Sequence, residues 1–237
     1  MKKPVIGITV SFDSEDEQGL IPGKALQYVS AHFSRAVDYY GGWPVLIPSV
    51  GKGCLQGILD LLDGIIVTGG MRSLSPESYE KDFLPGLEEQ NPARYRYDSF
   101  LILEALERNM PLLGICRGHQ MLNEVTGGTT CLKLKEAGRH RKESGDPAFH
   151  YASAGKGTLL EKAAGPGRIL VNSYHAQAVD AVGPGIIISG RAEDGSVEAI
   201  ESTGHAFAVG LQFHPELMPA AGPAHKIFGL FCEACRQ

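Results

Sequence analysis

The sequence lacks the features that mark several large classes of protein. Its net charge is −5, so it offers no excess of positive charge for binding nucleic acid or an anionic membrane. No apolar run approaches the roughly 18 residues of a membrane-spanning helix. Met1–Pro4 leads directly into a strand pattern, so we expect no signal segment. Five cysteines, an odd number in a chain of this size, predict reduced thiols and a cytoplasmic location.

What the sequence contains is typical of an ordinary globular protein. Hydrophobic residues make up 43% and charged residues 21% of its 237 residues, which predicts one domain over 1–237. Short β-branched runs alternate with helical patterns, which predicts right-handed crossovers and a parallel sheet with helices on both faces. Strands are expected at Val5–Val10, Val45–Ile47, Gly64–Val67 and Ile169–Val171, and helices at Tyr28–Tyr40, Leu55–Leu62 and Tyr95–Arg108.

The second half of the chain has a different pattern of secondary-structure elements. Strand-like runs at Gly185–Arg191, Ser196–Glu201 and Ala206–Gln212 follow one another at hairpin intervals. They predict an antiparallel extension of the parallel sheet. The fold class is therefore α/β: a flavodoxin-like, three-layer α/β/α sandwich with a mostly parallel central sheet.

One stretch, Pro111–Gln120, has the pattern of a nucleophile elbow. Its apolar run reads as a buried strand, and the residues after it can form a helix. Cys116 stands at the junction between Gly114 and Gly118, in a Gly-x-nucleophile-x-Gly arrangement. A helix N-terminus beneath the sulfur favours the thiolate, which is the reactive form. A lone cysteine is more often structural, but the flanking glycines favour a nucleophile.

A second glycine pair follows the third expected strand. Gly69 and Gly70 come directly after Thr68, and glycines allow main-chain N–H groups to approach a ligand closely. If this loop neighbours the elbow, its amides and the N–H of Arg117 can form an oxyanion hole. The alternative is a plain turn.

The last strand-like run ends in a histidine close to a carboxylate. In an extended segment alternate residues share a face, so His214 and Glu216 are expected on the same side. An adjacent carboxylate holds an imidazole in one tautomer and stabilises its protonated form. Together with Cys116 this pair predicts nucleophilic catalysis rather than a surface histidine.

Other polar segments have less specific interpretations. Segment 71–97 is long enough to form a wall or lid of a site. The basic loop 133–147, which includes His140, is expected to be solvated, with contact to an anionic substrate group as the alternative. Arg94, Arg96 and Asp98 are expected at a solvated, capped helix end, with the alternative that one of them reaches the site. Cys232 and Cys235 have CxxC spacing but no second ligand pair, so we interpret them as structural.

Three separated segments resemble the class I glutamine amidotransferase family, within it the peptidase C26 branch of γ-glutamyl hydrolases. They are Leu113–Gln120, the polar cluster Asn172–Gln177 and Phe213–Glu216. The resemblance implies a triad of Cys116, His214 and Glu216 and an oxyanion hole of Gly69, Gly70 and Arg117. It also implies a glutamyl-binding surface, which would be formed by Gln120, Asn172, Ser173, Tyr174 and His175.

The sequence departs from the family pattern in two places. Relatives commonly carry an aspartate shortly after the double glycine, where Met71–Ser75 stands here before Pro76. Ala176 replaces a frequent second histidine. Neither change touches the triad, but both bear on the shape of the leaving-group pocket.

The implied activity is hydrolysis of a γ-glutamyl amide such as γ-glutamyl-γ-aminobutyrate, in polyamine catabolism, through a thioester. No metal and no cofactor are expected. The expected partner is a small γ-glutamyl substrate, with a homodimer left open, rather than nucleic acid or a membrane. Two alternatives remain. The chain could be a glutaminase subunit that supplies ammonia to a separate synthetase, or a non-catalytic relative, which should lack Cys116, His214 or Glu216.

Overall fold

The computed structural model describes residues 2–13, 21–70, 84–132, 134, 140 and 147–236. Within these residues, no helix combines the length and the apolar character needed to cross a bilayer. The departure at Met71–Ser75 and most of the basic loop 133–147 lie outside the described residues, and so does the first half of segment 71–97.

A nine-stranded sheet forms the centre of the molecule, in the order β4-β1-β5-β6-β13-β12-β11-β8-β9. The first five strands in this order are mutually parallel, and the remaining pairs are antiparallel. The predicted parallel sheet with an antiparallel extension is confirmed. The strands of this sheet are β1 (Val5–Thr9), β4 (Trp43–Ile47), β5 (Gly64–Val67), β6 (Leu112–Ile115), β8 (Ala148–Ala154), β9 (Arg168–Ser173), β11 (Ile186–Ala192), β12 (Val197–Ser202) and β13 (Ala208–Leu211).

Two small antiparallel pairs lie beside the main sheet and were not predicted. One joins β2 (Ser11–Asp13) to β3 (Leu26–Tyr28), and the other joins β7 (Thr130–Cys131) to β10 (Ala178–Val179). Strand β8 was also missed, because its sequence AFHYASA carries no run of β-branched residues. Backbone pairing with β9 on one side and β11 on the other holds β8 in the sheet.

Helices cover both faces of the sheet and enclose two apolar cores. Phe33 and Val37 pack on one face with Phe228 and Phe231, while Leu101 and Leu122 pack on the other. The three predicted layers are therefore present. The helices are α1 (Ala31–Tyr39), α2 (Lys52–Leu59), α3 (Leu87–Gln90), α4 (Pro92–Glu107), α5 (Arg117–Val125), α6 (Leu159–Ala164) and α7 (Ile227–Ala234), with short 3-10 turns at Pro215–Leu217 and Ala224–Lys226.

The helix α4 begins earlier than its apolar pattern predicts. Asn91 caps it, because its side chain accepts a hydrogen bond from the Arg94 N–H at 2.9 Å, and Pro92 occupies the first turn. Segment 71–97 is therefore helical over its second part rather than a continuous loop.

The CxxC cysteines have the predicted structural role. Cys232 and Cys235 are buried in the apolar core on the α7 side of the sheet. Burial raises the pKa of the Cys232 thiol to about 11, so this group stays protonated and unreactive at neutral pH.

The two glycines that flank Cys116 are required by close backbone packing. A Cβ at Gly118 would lie 2.1 Å from the carbonyl oxygen of Val67 in β5, and one at Gly114 would lie 2.5 Å from the carbonyl oxygen of Gly118. These obstacles are main-chain atoms, which cannot rotate away. Strand β5, strand β6 and helix α5 therefore meet at a distance that only glycine permits.

We predict that Gly118→Ala destabilises the fold by about 3 kcal/mol, because α5 must move away from β5. Gly57→Ala is the matched control, since Gly57 lies in α2 with open space around its Cα. The control is expected to be neutral or to stabilise by about 0.5–1 kcal/mol. Denaturant unfolding of both variants measures the difference, and equal stabilities would contradict this account of the packing.

Candidate active site

Cys116 occupies a strained position between β6 and α5. Its backbone has φ 53° and ψ −101°, in the positive-φ region that non-glycine residues rarely adopt. The strain is held by β6 before it and by α5, which begins at Arg117. The thiol is partly exposed at the carboxyl end of the parallel strands. This is the geometry that the elbow pattern predicts.

Pairing of β13 with β6 brings His214 to the same end of the sheet. Leu211 is the register partner of Ile115, and the Cys116 N–H donates to the Leu211 carbonyl oxygen at 2.7 Å. The chain therefore leaves β13 directly beside the elbow. A Cβ at Gly69 would lie 3.1 Å from His214 Cε1 and 3.3 Å from Cys116 Cβ. The loop Thr68–Gly70, which we call the glycine loop, therefore adjoins both residues.

His214 is fixed on two sides. Its Nδ1 lies 2.7 Å from Glu216 Oε1, and the carboxylate of Glu216 is almost fully buried. The side-chain amide of Asn172 donates to the His214 carbonyl at 3.0 Å, and its oxygen accepts the His214 N–H at 2.9 Å. The Tyr174 ring packs edge-on against the imidazole, with centroids 5.3 Å apart.

The electrostatic surroundings of His214 favour its protonated form. Burial alone lowers the pKa of His214, but the negative charges of Glu216 and Cys116 and the hydrogen bonds to both outweigh it. The pKa of His214 therefore lies well above its ordinary value of 6.5. An imidazolium at this position can pair with a thiolate, and it can deliver a proton to a departing group.

The glycine loop is anchored by an arginine that was expected at a solvated helix end. Arg94 is buried, and its guanidinium donates to the Thr68 carbonyl oxygen at 3.2 Å. The same group reaches Ser11 Oγ at 3.0 Å and makes two bonds to Asp98, at 2.7 and 2.8 Å. The prediction of a solvated end was wrong for Arg94 and Asp98, which α4 turns toward the sheet, whereas Arg96 is exposed as predicted.

Asp98 links the two halves of the site. Besides Arg94 it approaches the Arg117 guanidinium, with Oδ2 3.5 Å from Nε, and Arg117 also donates to the Leu87 carbonyl at 3.1 Å. Through this buried carboxylate, the residue after Cys116 and the residue before Gly69 are held together. As the first residue of α5, Arg117 has a backbone N–H that no intrahelical carbonyl accepts.

The remaining predicted binding residues form a polar region behind the triad residues. Gln120 donates to the Gln177 carbonyl at 2.9 Å and to Gln212 Oε1 at 3.0 Å. Ser173 Oγ lies 3.4 Å from His140 Nδ1, and His175 Nε2 lies 3.4 Å from Glu198 Oε1. The structure thus brings Asn172 and Tyr174 to His214, while Ser173 and His175 face a group of buried histidines.

His140 was expected in a solvated basic loop, and this expectation was wrong. Its side chain is 1% exposed, and its Nε2 lies 2.8 Å from Asp194 Oδ2. This hydrogen bond to a carboxylate in a distant turn offsets the cost of removing the imidazole from water. The sequence contains no local signal for it, because Asp194 lies 54 positions away.

Comparison with known proteins identifies the family. The family model described as Peptidase C26 matches residues 4–216. This chain belongs to the peptidase C26 family. The peptidase C26 chain is 31% identical over 251 residues to the gamma-glutamyl-gamma-aminobutyrate hydrolase of Escherichia coli O157:H7, covering 100% of this chain and 95% of that one. It is 33% identical over 216 residues to the protein NtpR of Enterococcus hirae, covering 88% and 89%.

Solved structures agree on the fold of this peptidase C26 chain. A glutamine amidotransferase from Thermotoga maritima superimposes with a TM-score of 0.57 at 19% identity, covering 91% of this chain and 77% of that one. One from Methylobacillus flagellatus gives 0.55 at 18% identity, covering 91% and 71%. The fold is the flavodoxin-like fold of these enzymes, and the family supports a glutamine-amidotransferase-like hydrolase.

We predict that Arg94→Met destabilises the protein by about 3 kcal/mol, because it leaves Asp98 buried with only a distant guanidinium. The loss is expected to be smaller at acidic pH, where the orphaned carboxyl can take up a proton and lose its charge. Denaturant unfolding at two pH values measures both effects. Arg96→Met, an exposed arginine of the same helix, is the control, and the same loss in this variant would refute the role of Arg94.

We predict that Glu216→Gln lowers the pKa of His214, because burial then acts without its main opposing charge. The raised pKa in the wild type means that the proton on His214 stabilises the fold fully below pH 6.5. This contribution is lost as the pH rises through the folded-state pKa. NMR titration of the His214 Cε1–H reports the shift. Glu107→Gln, at an exposed position, is the control, and an unchanged His214 pKa in Glu216→Gln would rule out the coupling.

Proposed function

We propose that the protein hydrolyses γ-glutamyl amides, γ-glutamyl-γ-aminobutyrate or a related γ-glutamyl amine, to glutamate and a free amine. Cys116 is the nucleophile, His214 the general acid and base, and Glu216 the carboxylate that orients it. The observation that carries the proposal is the 2.7 Å contact between His214 and Glu216 beside a strained cysteine whose charge interacts with the same imidazole.

The first half of the reaction forms an acyl-enzyme. The Cys116 thiolate attacks the γ-carbonyl carbon, and the carbonyl oxygen becomes an oxyanion. When the tetrahedral intermediate collapses, the carbon–nitrogen bond breaks and His214 gives its proton to the departing amine. The product on the enzyme is a γ-glutamyl thioester.

The second half releases glutamate. Neutral His214 accepts a proton from water, and the oxygen of that water attacks the thioester carbon. The carbon–sulfur bond then breaks, glutamate leaves and Cys116 returns to the thiolate that pairs with protonated His214. Glu216 stabilises the imidazolium at each stage, since it keeps Nδ1 occupied and Nε2 turned toward the sulfur.

Backbone amides of Gly69, Gly70 and Arg117 form the proposed oxyanion hole. The positions of these residues support this assignment, because Gly69 adjoins both Cys116 and His214 and Arg117 is the first residue of the helix that follows Cys116. A positioning role for Arg94 follows, because its bond to the Thr68 carbonyl orients the peptide that leads into Gly69.

The glutamyl head group is proposed to lie against Gln120, Asn172, Ser173, Tyr174 and His175. Asn172 and Tyr174 contact His214. A substrate that presents its γ-carbonyl to Cys116 would therefore place its glutamyl head group toward this region. All five cysteines are free thiols, which supports a reducing, cytoplasmic location for a thiol-dependent enzyme of polyamine catabolism.

Substrate preference tests the proposal against the alternative of a glutaminase subunit. The purified protein is supplied with γ-glutamyl-γ-aminobutyrate, with other γ-glutamyl amines and with glutamine, and glutamate release is measured. We expect faster turnover of the γ-glutamyl amines. Preference for glutamine, together with co-purification of a synthetase, would favour the subunit.

We predict that Cys116→Ser lowers kcat by at least about 1,000-fold without a comparable change in stability. Cys54→Ser is the control, because Cys54 is exposed and lies in α2. Mass spectrometry after rapid quenching should detect a γ-glutamyl adduct on the Cys116 peptide of the wild type. Near-normal turnover by Cys116→Ser would remove Cys116 from its proposed role.

A further inference from the structure

Three imidazoles, two of them buried and the third largely so, surround one buried carboxylate on the antiparallel side of the sheet. We call His140, His150, His175 and Glu198 the histidine cluster. His150 lies in β8, Glu198 in β12, and His175 just beyond the end of β9. Around Glu198 Oε1, His150 Nε2 lies at 3.2 Å, His175 Nε2 at 3.4 Å and His140 Nδ1 at 3.5 Å. Three histidines that are remote from one another in sequence therefore converge on one buried oxygen.

The three nitrogens lie 3.2–3.5 Å from Glu198 Oε1, which is close to the separation of neighbouring ligand atoms around a metal ion. Zinc binds histidine nitrogen at about 2.0–2.1 Å and carboxylate oxygen at about 2.0–2.2 Å, so neighbouring ligand atoms in a tetrahedral site lie about 3.3–3.5 Å apart. A direct N–H···O hydrogen bond would be nearer 2.9 Å. The ligand atoms of His140, His150 and Glu198 all lie within 4.8 Å of one another.

Hydrogen bonds on the outer side orient two of the rings. His140 Nε2 lies 2.8 Å from Asp194 Oδ2 and 3.1 Å from Ser196 Oγ, and His175 Nδ1 lies 3.0 Å from the Gln177 carbonyl oxygen. The proton of each ring is therefore held on the outer nitrogen, and a lone pair faces Glu198. Histidines that bind metals are oriented in this way by a carboxylate or a carbonyl.

Several of the inward atoms have no hydrogen-bond partner among the described residues. These are His150 Nε2, His175 Nε2 and both carboxylate oxygens of Glu198, although all are buried. Among the residues that the structure describes, the hydrogen-bond partner of His140 Nδ1 is Ser173 Oγ, at 3.4 Å. Buried polar atoms are rarely left unsatisfied, and an ion at the centre would satisfy this set together.

We propose that the histidine cluster binds a divalent transition-metal ion, for which Zn²⁺ is the best chemical match. Imidazole nitrogens with one carboxylate oxygen, closed off from solvent, form a donor set that suits zinc and a structural rather than a catalytic site. The ion would join β8, β12 and the end of β9. Asn172, which fixes His214, lies on β9 three residues before His175, so the ion would stabilise the support of the candidate active site.

Metal analysis of the intact protein tests this proposal without reference to activity. After expression with added Zn²⁺ and dialysis, we expect about one equivalent of zinc per chain, removed only by a strong chelator, with a fall in Tm on removal. Replacement by Co²⁺ should give the visible absorption of tetrahedral cobalt without a sulfur-to-cobalt band, which separates the cluster from the free thiols.

Variants locate the ion. His150→Ala and Glu198→Gln are expected to abolish the cobalt spectrum and the chelator effect on Tm, whereas His32→Ala, an exposed histidine, should retain both. If the cluster variants fail to fold, the wild-type cobalt spectrum decides. A wild type that retains no metal and shows no tetrahedral spectrum would overturn the proposal, as would unchanged metal binding in a folded His150→Ala or a spectrum with thiolate ligands.

Discussion

Parallel pairing between β6 and β13 is the constraint on which the candidate active site depends. The register partners Ile115 and Leu211 lie 96 residues apart in sequence (211 − 115), yet the two strands run side by side and end at the same edge of the sheet. Leu211 pairs with Ile115, so Cys116 and His214 emerge one and three residues later. A slip of one residue would turn the side chains that follow toward the opposite face.

Close packing around this pair explains how strain at Cys116 is tolerated. Gly114 and Gly118 allow β5, β6 and α5 to approach within distances that exclude a Cβ, and this rigid junction holds Cys116 at positive φ. On the facing loop the backbone is held by buried charges instead of glycines: Arg94 pairs with Asp98 and donates to the Thr68 carbonyl oxygen. Both arrangements fix backbone beside the thiol, which is what a preorganised oxyanion site requires.

The antiparallel half of the sheet serves the site indirectly. Strand β9 carries Asn172, which bonds to the main chain of His214, and it ends at Ser173, beside the histidine cluster. Several buried polar groups are concentrated here, among them His140, His175 and Glu198. The carboxylate of Glu198 is fully buried here, with three imidazole nitrogens 3.2–3.5 Å from its Oε1.

Local patterns in the sequence determined the layered fold, the elbow and the pairing of His214 with Glu216, because each depends on residues a few positions apart. Periodicity also located most helices to within a few residues. Tertiary structure alone decided that Arg94, Asp98 and His140 are buried, since their partners Thr68, Arg117 and Asp194 are remote in sequence. The sequence around a charged side chain does not indicate whether a distant partner will pair with it. Only the folded sheet brings them close enough for the gain in hydrogen bonding and charge pairing to offset the loss of water.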